Sequence, residues 1–179
     1  MTHHVPARPR LVPYDPSWPT IFADEARVLK AALAPVDPQI EHVGSTAVAG
    51  LPAKPVIDIL VGVTGYEQFE GIRAVLADLG YAWDADAERD DPGRRVFRKG
   101  SVDAALLRTH HLHLTIVDGP YWRRLLAFRD QLRRDPAAAR RYAQVKFALV
   151  QSCGGDSRGY TRGKSTIVRS IEEEAGFTG

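Results

Sequence analysis

The residues of this 179-residue chain best suited to chemistry begin with a carboxylate inside a predicted strand. Asp58 is the one ionisable side chain in the nearly continuous apolar run 55–63, which is typical of a strand buried on both faces. Burying a bare carboxylate is costly, so Asp58 must be paired, hydrogen-bonded or bound to a metal ion. A structural role in holding loop amides is the alternative, but unusual buried charge marks sites and favours a functional role.

A second predicted strand carries two histidines that are two residues apart. His111 and His113 share one face of the β-branched segment around Leu112, because side chains alternate along a strand. Imidazoles at this spacing can converge on a metal ion or another ligand. A polar, solvated strand face is the alternative, and the pair gains weight if its face meets that of Asp58 in one sheet. His42 is a further candidate, although a capping role would also explain it.

Three predicted helices near the C-terminus each carry a cation within an apolar stripe. The helices are 121–133, 136–151 and 160–175, and the cations are Arg129, Lys146 and Lys164. A long cationic side chain can reach water from a core stripe, which would explain any one of them. Convergence on one anion would explain all three, because phosphate oxygens accept charge-assisted hydrogen bonds from lysine and arginine. A shared anionic site is therefore one interpretation, and three independent snorkelling side chains are the other.

A short motif of glycine and hydroxyl residues is the remaining candidate for phosphate binding. Gly44-Ser45-Thr46 lies between the predicted strand 39–43 and a loop of small residues that ends at 53. Glycine lets the backbone approach a phosphate closely, and the hydroxyls add hydrogen bonds. The tripeptide is a weak signal by itself, since it lacks the Walker pattern and the chain shows no dinucleotide-binding fingerprint.

The elements that must position these residues alternate between helix and strand. The remaining predicted elements are a helix over 17–33, a strand over 55–63, a helix over 66–79, and short strands over 81–84, 95–99 and 112–117. This order predicts an α/β (α+β) fold, in which a sheet is flanked by helices and 120–179 forms a C-terminal helical layer. The length suits one domain over 1–179, which opens with an extended segment over 1–16.

Composition argues against several functional classes. Charged residues nearly balance, at a formal net charge of +2, so nothing predicts wholesale binding of nucleic acid or membranes. No window reaches the ~20 apolar residues that a membrane helix needs, and a single cysteine, Cys153, excludes an internal disulfide. The opening residues 1–10 lack the apolar core of a signal peptide, and we expect a cytoplasmic protein.

Several stretches of the sequence resemble the GrpB family. Residues 40–59, IEHVGSTAVAGLPAKPVIDI, closely resemble the family signature, and this block is long enough to be specific. The other matching stretches are THHLHL at 109–114, FRD at 128–130, the late Tyr160-Thr161-x-x-Lys164 and the opening VPYDPSW at 12–18. Together they extend the resemblance over nearly the whole chain.

The resemblance implies the nucleotidyltransferase superfamily, whose core is a mixed sheet flanked by helices. In that superfamily a Gly-Ser element holds the triphosphate, and two carboxylates one residue apart on the next strand, with a third on a later strand, bind divalent metal. Gly44-Ser45 and Asp58 match the first two elements, but Leu60 occupies the place of the second carboxylate. The later strand offers His111 and His113 where a carboxylate would be expected. Aspartate with imidazoles suits Mn²⁺ or Zn²⁺ better than Mg²⁺.

The function implied is that of a nucleotidyltransferase-like protein. It would bind a nucleoside triphosphate or a related phosphorylated ligand and could transfer a nucleotidyl group to an unknown acceptor. Asp58 with His111 or His113 would hold a divalent metal or act on a proton. The expected phosphate-binding residues are Gly44, Ser45, Thr46, Lys54, Arg129, Lys146 and Lys164.

Two other functions stay open at this stage. The first is a non-catalytic module that binds a nucleotide or a coenzyme-A-related ligand, or interacts with a partner, and Leu60 favours it. A domain like this one is fused to dephospho-coenzyme A kinase in some actinobacterial proteins, which fits such a ligand by analogy. The second is a metal-dependent phosphohydrolase that uses the same residues.

Overall fold

The strands of the molecule form one mixed sheet. The computed structural model describes residues 11–88, 93–100, 108–153 and 156–177. Its strands are β1 (Gln39–Val43), β2 (Ile57–Val63), β3 (Tyr81–Trp83), β4 (Arg94–Gly100) and β5 (Arg108–Ile116). Their order in the sheet is β1-β2-β5-β4-β3, with β2 and β5 parallel and the other pairs antiparallel.

Helices cover the sheet and continue beyond it. They are α1 (Trp18–Ala32), α2 (Phe69–Asp78), α3 (Pro120–Arg134), α4 (Pro136–Ser152), α5 (Ser157–Gly163) and α6 (Ser165–Glu174). Asp135 caps α4 by accepting a hydrogen bond from the Ala137 amide, and Pro136 follows in the first turn, where its missing N–H costs nothing. The predicted sheet flanked by helices, with a C-terminal helical layer, is confirmed.

The single helix predicted over 160–175 is wrong, because the chain forms α5 and α6 with a junction at Lys164. Gly163 packs so closely on α4 that an added Cβ would lie 2.4 Å from Leu149 Cδ2. The Ser165 hydroxyl donates to the Arg162 carbonyl across the junction. Lys164 therefore lies between two helices rather than inside one stripe.

Asp58 and the two strand histidines share one face of the sheet. Asp58 is the register partner of His111, and Leu60 is the partner of His113, across the parallel pair β2–β5. Paired residues on neighbouring strands project to the same side, and so do residues two apart along a strand. The condition that would favour a functional role for the histidine pair, a face shared with Asp58 in one sheet, is therefore met.

The two faces of β2 are buried in different clusters. Ile57, Ile59 and Val61 pack with residues of α1 and α2. Leu60, on the Asp58 face, packs with Val43 and two aromatic residues of α3. A third cluster joins the loop after β1 to the C-terminal helices through Val48, Leu51, Phe128, Leu132, Ala138, Tyr142 and Ile171. The helical layer thus holds the Gly44-Ser45-Thr46 loop against the sheet.

Gly62 allows α3 to approach β2 closely, and its replacement tests this packing. A Cβ at Gly62 would lie 2.6 Å from Trp122 Cζ3, so Gly62→Ala is expected to lower the free energy of unfolding by about 1–3 kcal/mol through overpacking. Urea denaturation would measure the change. In the matched control Gly71→Ala, on α2, a Cβ meets nothing within 4 Å, and we expect a gain of roughly 0.5–1 kcal/mol. Equal stability of Gly62→Ala and wild type would contradict the close packing.

The beginning of the described chain is attached to the loop before β2. Val12 and Ala53 form an antiparallel bridge, with N···O distances of 2.8 and 3.0 Å. The predicted extended segment 1–16 falls partly outside the described residues. Among the helices described, none has the length and apolar character needed to cross a membrane.

Candidate functional site

Three lysines from separate segments lie around the turn that follows β1, and we call them the lysine cluster. Lys146 of α4 is buried and only 1% exposed. Its Nζ lies 3.0 Å from Ser45 Oγ and also donates to the Pro52 carbonyl. Lys54 and Lys164, both half-buried, place their Nζ atoms 4.0 and 4.9 Å from the centre of the Tyr160 ring.

Burial and mutual repulsion lower the pKa of two members of the lysine cluster. Burial is the larger cause, and the charge of Lys164 adds to it for both Lys54 and Lys146. The resulting pKa is about 8 for Lys54 and about 7 for Lys146, although Asp58 partly offsets the shifts. An anion placed between these groups would replace repulsion with attraction.

Asp58 lies directly beneath the turn. A Cβ on Gly44 would lie 2.3 Å from Asp58 Oδ2, and Gly44 has φ of +70°, so only glycine fits this position without strain. Asp58 Oδ1 lies 3.3 Å from His111 Nδ1 and 3.9 Å from His113 Nε2. Burial alone would raise the pKa of Asp58, but its interactions with His111 and His113 outweigh burial and hold that pKa below its usual range.

His113 is fixed by contacts on its far side. Its Nδ1 lies 3.2 Å from Arg94 Nη1 and 3.2 Å from the Tyr121 hydroxyl. A guanidinium can only donate, so Nδ1 accepts and the ring proton is assigned to Nε2, which faces Asp58. Burial lowers the pKa of His113, which favours this neutral tautomer.

Arg129 does not join the lysine cluster. Its Nη1 donates to Glu41 Oε2 at 2.7 Å and to the His42 carbonyl at 3.0 Å, and its Nε donates to Asp130 Oδ1 at 2.7 Å. The structure therefore does not bring Arg129 together with the two lysines, and two carboxylates already neutralise it. Its contacts instead tie α3 to β1.

Thr46 and His42 form an interior contact that shapes the turn. His42 Nε2 lies 3.0 Å from Thr46 Oγ1, and the His42 ring stacks on Phe22 at a centroid distance of 4.6 Å. Burial lowers the pKa of His42 to about 4. Thr46 is only 1% exposed, and its hydroxyl, predicted to bind phosphate, contacts the His42 ring in the interior. Both residues position the turn.

Sequence reasoning missed the two tyrosines of the site. Tyr142 precedes Lys146 by four residues, and Tyr160 precedes Lys164 by four. Residues four apart are neighbours on a helix, and each lysine Nζ lies near its tyrosine ring, at 4.7 and 4.9 Å from the centre. This repeated Tyr-x-x-x-Lys spacing is visible in the sequence, but an aromatic residue at helical spacing is also typical of a core stripe. Arg108, which adds positive charge near Lys54, was missed as well.

The side chains around Asp58 do not fit the metal centre that the resemblance implies. A pair of Mg²⁺ ions needs several hard oxygen ligands, whereas the place of the second carboxylate holds Leu60, buried among apolar side chains. Arg94 brings positive charge against the His113 ring. Across the described ranges, no group of three or more histidine, cysteine, aspartate or glutamate side chains is arranged to hold a metal ion. The site instead combines ammonium groups with imidazoles around one carboxylate.

Comparison with known proteins places the chain in a family. The sequence model of the GrpB protein family matches residues 8–174. The UPF0157 protein PA4798 of Pseudomonas aeruginosa is 42% identical over 165 residues, which are 92% of this chain and 66% of that protein. The crystal structure of the conserved protein GrpB from Enterococcus faecalis has a TM-score of 0.80 and 35% identity, covering 93% of this chain and 96% of that chain.

A more distant likeness is to a Cid1 poly(U) polymerase bound to MgATP, with a TM-score of 0.41 and 11% identity over 75% of this chain and 45% of that chain. A likeness at that level says nothing about activity. The family match and the Enterococcus structure extend over nearly all of the sequence. The chain therefore belongs to the GrpB family.

Proposed function

We propose that this protein binds the phosphate groups of a nucleoside triphosphate, or of a related phosphorylated ligand, at the lysine cluster. The observation that carries this proposal is the crowding of like charge. Two ammonium groups lie within 5 Å of the centre of one tyrosine ring, and the third is buried against the Ser45 hydroxyl. Holding three cations together costs free energy in the empty protein, and an anion of several charges would recover it.

The surrounding residues would divide the work of binding. Lys54 and Lys164, and Lys146 in its protonated form, would act as point charges toward phosphate oxygens. Ser45 would add a hydroxyl, and the glycine before it lets the backbone approach closely. The single negative charge of Asp58 would attract Lys54 and Lys146 but could not neutralise all three lysines.

The same geometry favours binding over transfer to an outside acceptor by Asp58. A general base works best when its pKa lies near the working pH. The histidines hold the pKa of Asp58 below its usual range, so this carboxylate would be a weak base. For the residues around Asp58, a non-catalytic module that binds a phosphorylated ligand therefore has stronger physical support than a transferase in which Asp58 is the base.

Titration calorimetry with ATP in the presence of EDTA tests the proposal. We expect saturable binding of ATP and of inorganic tripolyphosphate, and no binding of adenosine, because the phosphates supply the attraction. Binding is expected to weaken at least tenfold between about pH 7 and about pH 9, as Lys146 and Lys54 lose their protons. The sign follows from their pKa values of about 7 and about 8.

Two results would contradict the proposal. Binding of adenosine as tight as that of ATP would show that the lysines do not carry recognition. Saturable ATP binding only after addition of Mg²⁺, Mn²⁺ or Zn²⁺ would show that binding requires a divalent metal ion.

A further inference from the structure

Ser45 lies beside two side chains of α4 that match the needs of an activated hydroxyl. Lys146 Nζ lies 3.0 Å from Ser45 Oγ, and Tyr142 lies near enough for Ser45 to lower the pKa of its hydroxyl, against the larger effect of burial. Lys146 and Tyr142 lie one turn apart on α4 and are both buried. Ser45 itself is half-buried, so a ligand can approach its hydroxyl while the partners stay inside the protein.

The direction of the Lys146–Ser45 hydrogen bond depends on the charge of the amine. Lys146 also donates to the Pro52 carbonyl, which can only accept and so fixes one N–H. A neutral amine has two N–H groups and one lone pair, and the lone pair can then accept the Ser45 hydroxyl proton. A pKa of about 7 makes the neutral form available near physiological pH.

The groups facing Lys146 from neighbouring elements support this state. Lys164, at the junction of α5 and α6, lowers the pKa of Lys146, whereas Asp58 of β2 raises it. Burial raises the pKa of Tyr142 to about 12, so its hydroxyl keeps its proton and can donate to Ser45 after the serine proton has left. Lys146 can therefore act as a base while Tyr142 steadies the oxygen.

We propose that Ser45 is a nucleophile activated by Lys146, which attacks a phosphorus atom of a bound phosphoanhydride and keeps the transferred group as a serine phosphoester. This step rests on the proposed phosphate-binding function. The Oγ–P bond forms as the anhydride P–O bond breaks, and its electron pair leaves with the departing phosphate chain. The serine proton moves to Lys146 Nζ. Lys54 and Lys164 offset the charge that develops on the leaving oxygen.

A hydrogen bond that only holds α4 against the turn is the competing explanation of the Lys146–Ser45 contact. A structural contact predicts no chemistry at Ser45. A nucleophile paired with a lysine base predicts fluorophosphonate labelling whose rate rises with pH through about 7, because the neutral amine must be present.

The test incubates the intact chain in EDTA with ATP carrying a label on either the α- or the γ-phosphorus, and separately with a fluorophosphonate. Fluorophosphonates report an activated serine directly, because serine displaces fluoride from phosphorus. We expect one labelled residue, Ser45, by peptide mass analysis. Label from the α-phosphorus would identify nucleotidyl transfer with loss of pyrophosphate, and label from the γ-phosphorus alone would identify phosphoryl transfer with loss of the nucleoside diphosphate.

Variants assign the roles. Ser45→Ala should remove the label, and Lys146→Met should slow labelling by about a hundredfold or more if it removes the base. The matched controls Ser152→Ala and Lys30→Met change exposed residues of the same types and should label as the wild type does. If Lys146→Met fails to fold, the pH dependence of the labelling rate of the wild type still tests whether a lysine base is required.

The outcomes separate this inference from the function on which it rests. Saturable ATP binding without labelling of Ser45 by either reagent would overturn the nucleophile and leave phosphate binding standing. Fluorophosphonate labelling of Ser45 without ATP binding would overturn the phosphoanhydride substrate. Labelling that persists in Ser45→Ala, or a wild-type rate of fluorophosphonate labelling that is flat across about pH 6 to 9, would overturn the role of the Ser45–Lys146 pair.

Discussion

Replacing Leu60 with aspartate is expected to unfold the protein rather than to rebuild a metal site. Leu60 is 0% exposed and packs with Val43, Tyr121 and Trp122 between the sheet and α3. An ionised carboxylate there would lose its water among apolar side chains, at a cost of several kcal/mol. The lost leucine packing adds about 2–5 kcal/mol, and a typical domain has only about 5–15 kcal/mol to lose.

Urea denaturation followed by circular dichroism would measure this effect. Leu60→Met is the matched control, because it keeps the volume and the apolar character, and should cost less than about 1.5 kcal/mol. A Leu60→Asp protein that stays folded and binds Mn²⁺ through Asp58 would contradict the expectation. It would also show that the second carboxylate is the missing part of a metal centre.

The double replacement Lys54→Met/Lys164→Met is expected to weaken ATP binding while making the fold more stable. Each charge-assisted hydrogen bond is worth about 1.5–3 kcal/mol, so losing two should weaken binding by roughly two to four orders of magnitude. Methionine keeps most of the length and the apolar character of the side chain, and it removes the ammonium group that lies near the Tyr160 ring. The repulsion that lowers the pKa of Lys146 is removed with Lys164, so resistance to urea should rise.

The pH dependence of unfolding gives the same prediction a second readout. Lys54 and Lys146 have lowered pKa values in the folded protein, so between about pH 7 and 10 the unfolded chain binds more protons than the folded one. The free energy of unfolding should therefore rise with pH across that window. The rise should be smaller in the double variant and unchanged in Lys30→Met. Loss of binding together with loss of stability would mean that the lysines serve the fold alone.

Much of the sheet follows from local patterns in the sequence. The strand 39–43 was predicted with the bounds that the structure has, because prolines and a glycine delimit it. The shared face of Asp58 and the histidines needed one more fact, the parallel register of β2 and β5, which alternation along each strand cannot supply. The family resemblance implied a mixed sheet, and the strands confirm it.

The contacts of the helix cations Arg129 and Lys146 are made with residues distant in sequence. Arg129 was grouped with the lysines by its place in a stripe, but Glu41, on a strand 88 residues away, neutralises it. Lys146 meets Ser45 across 101 residues. No local pattern distinguishes these two outcomes, because both cations lie in apolar stripes and only the fold decides what faces each of them.

The break at Lys164 had a local signal that apolar periodicity concealed. Gly163 interrupts the pattern, and its missing side chain is what lets α5 press against Leu149. The burial of the Thr46 side chain had no local signal in the sequence, because it depends on the contact with the His42 ring.

The backbone bridge near the beginning of the described chain links that end of the chain to the backbone beside Lys54. The backbone ladder between Val12 and Ala53 fastens that end to the residue immediately before Lys54. Tension or displacement from an upstream segment would reach the Lys54 ammonium through a single peptide unit. In a longer protein that carries this domain, these two hydrogen bonds would transmit a displacement of a preceding segment to the backbone beside Lys54.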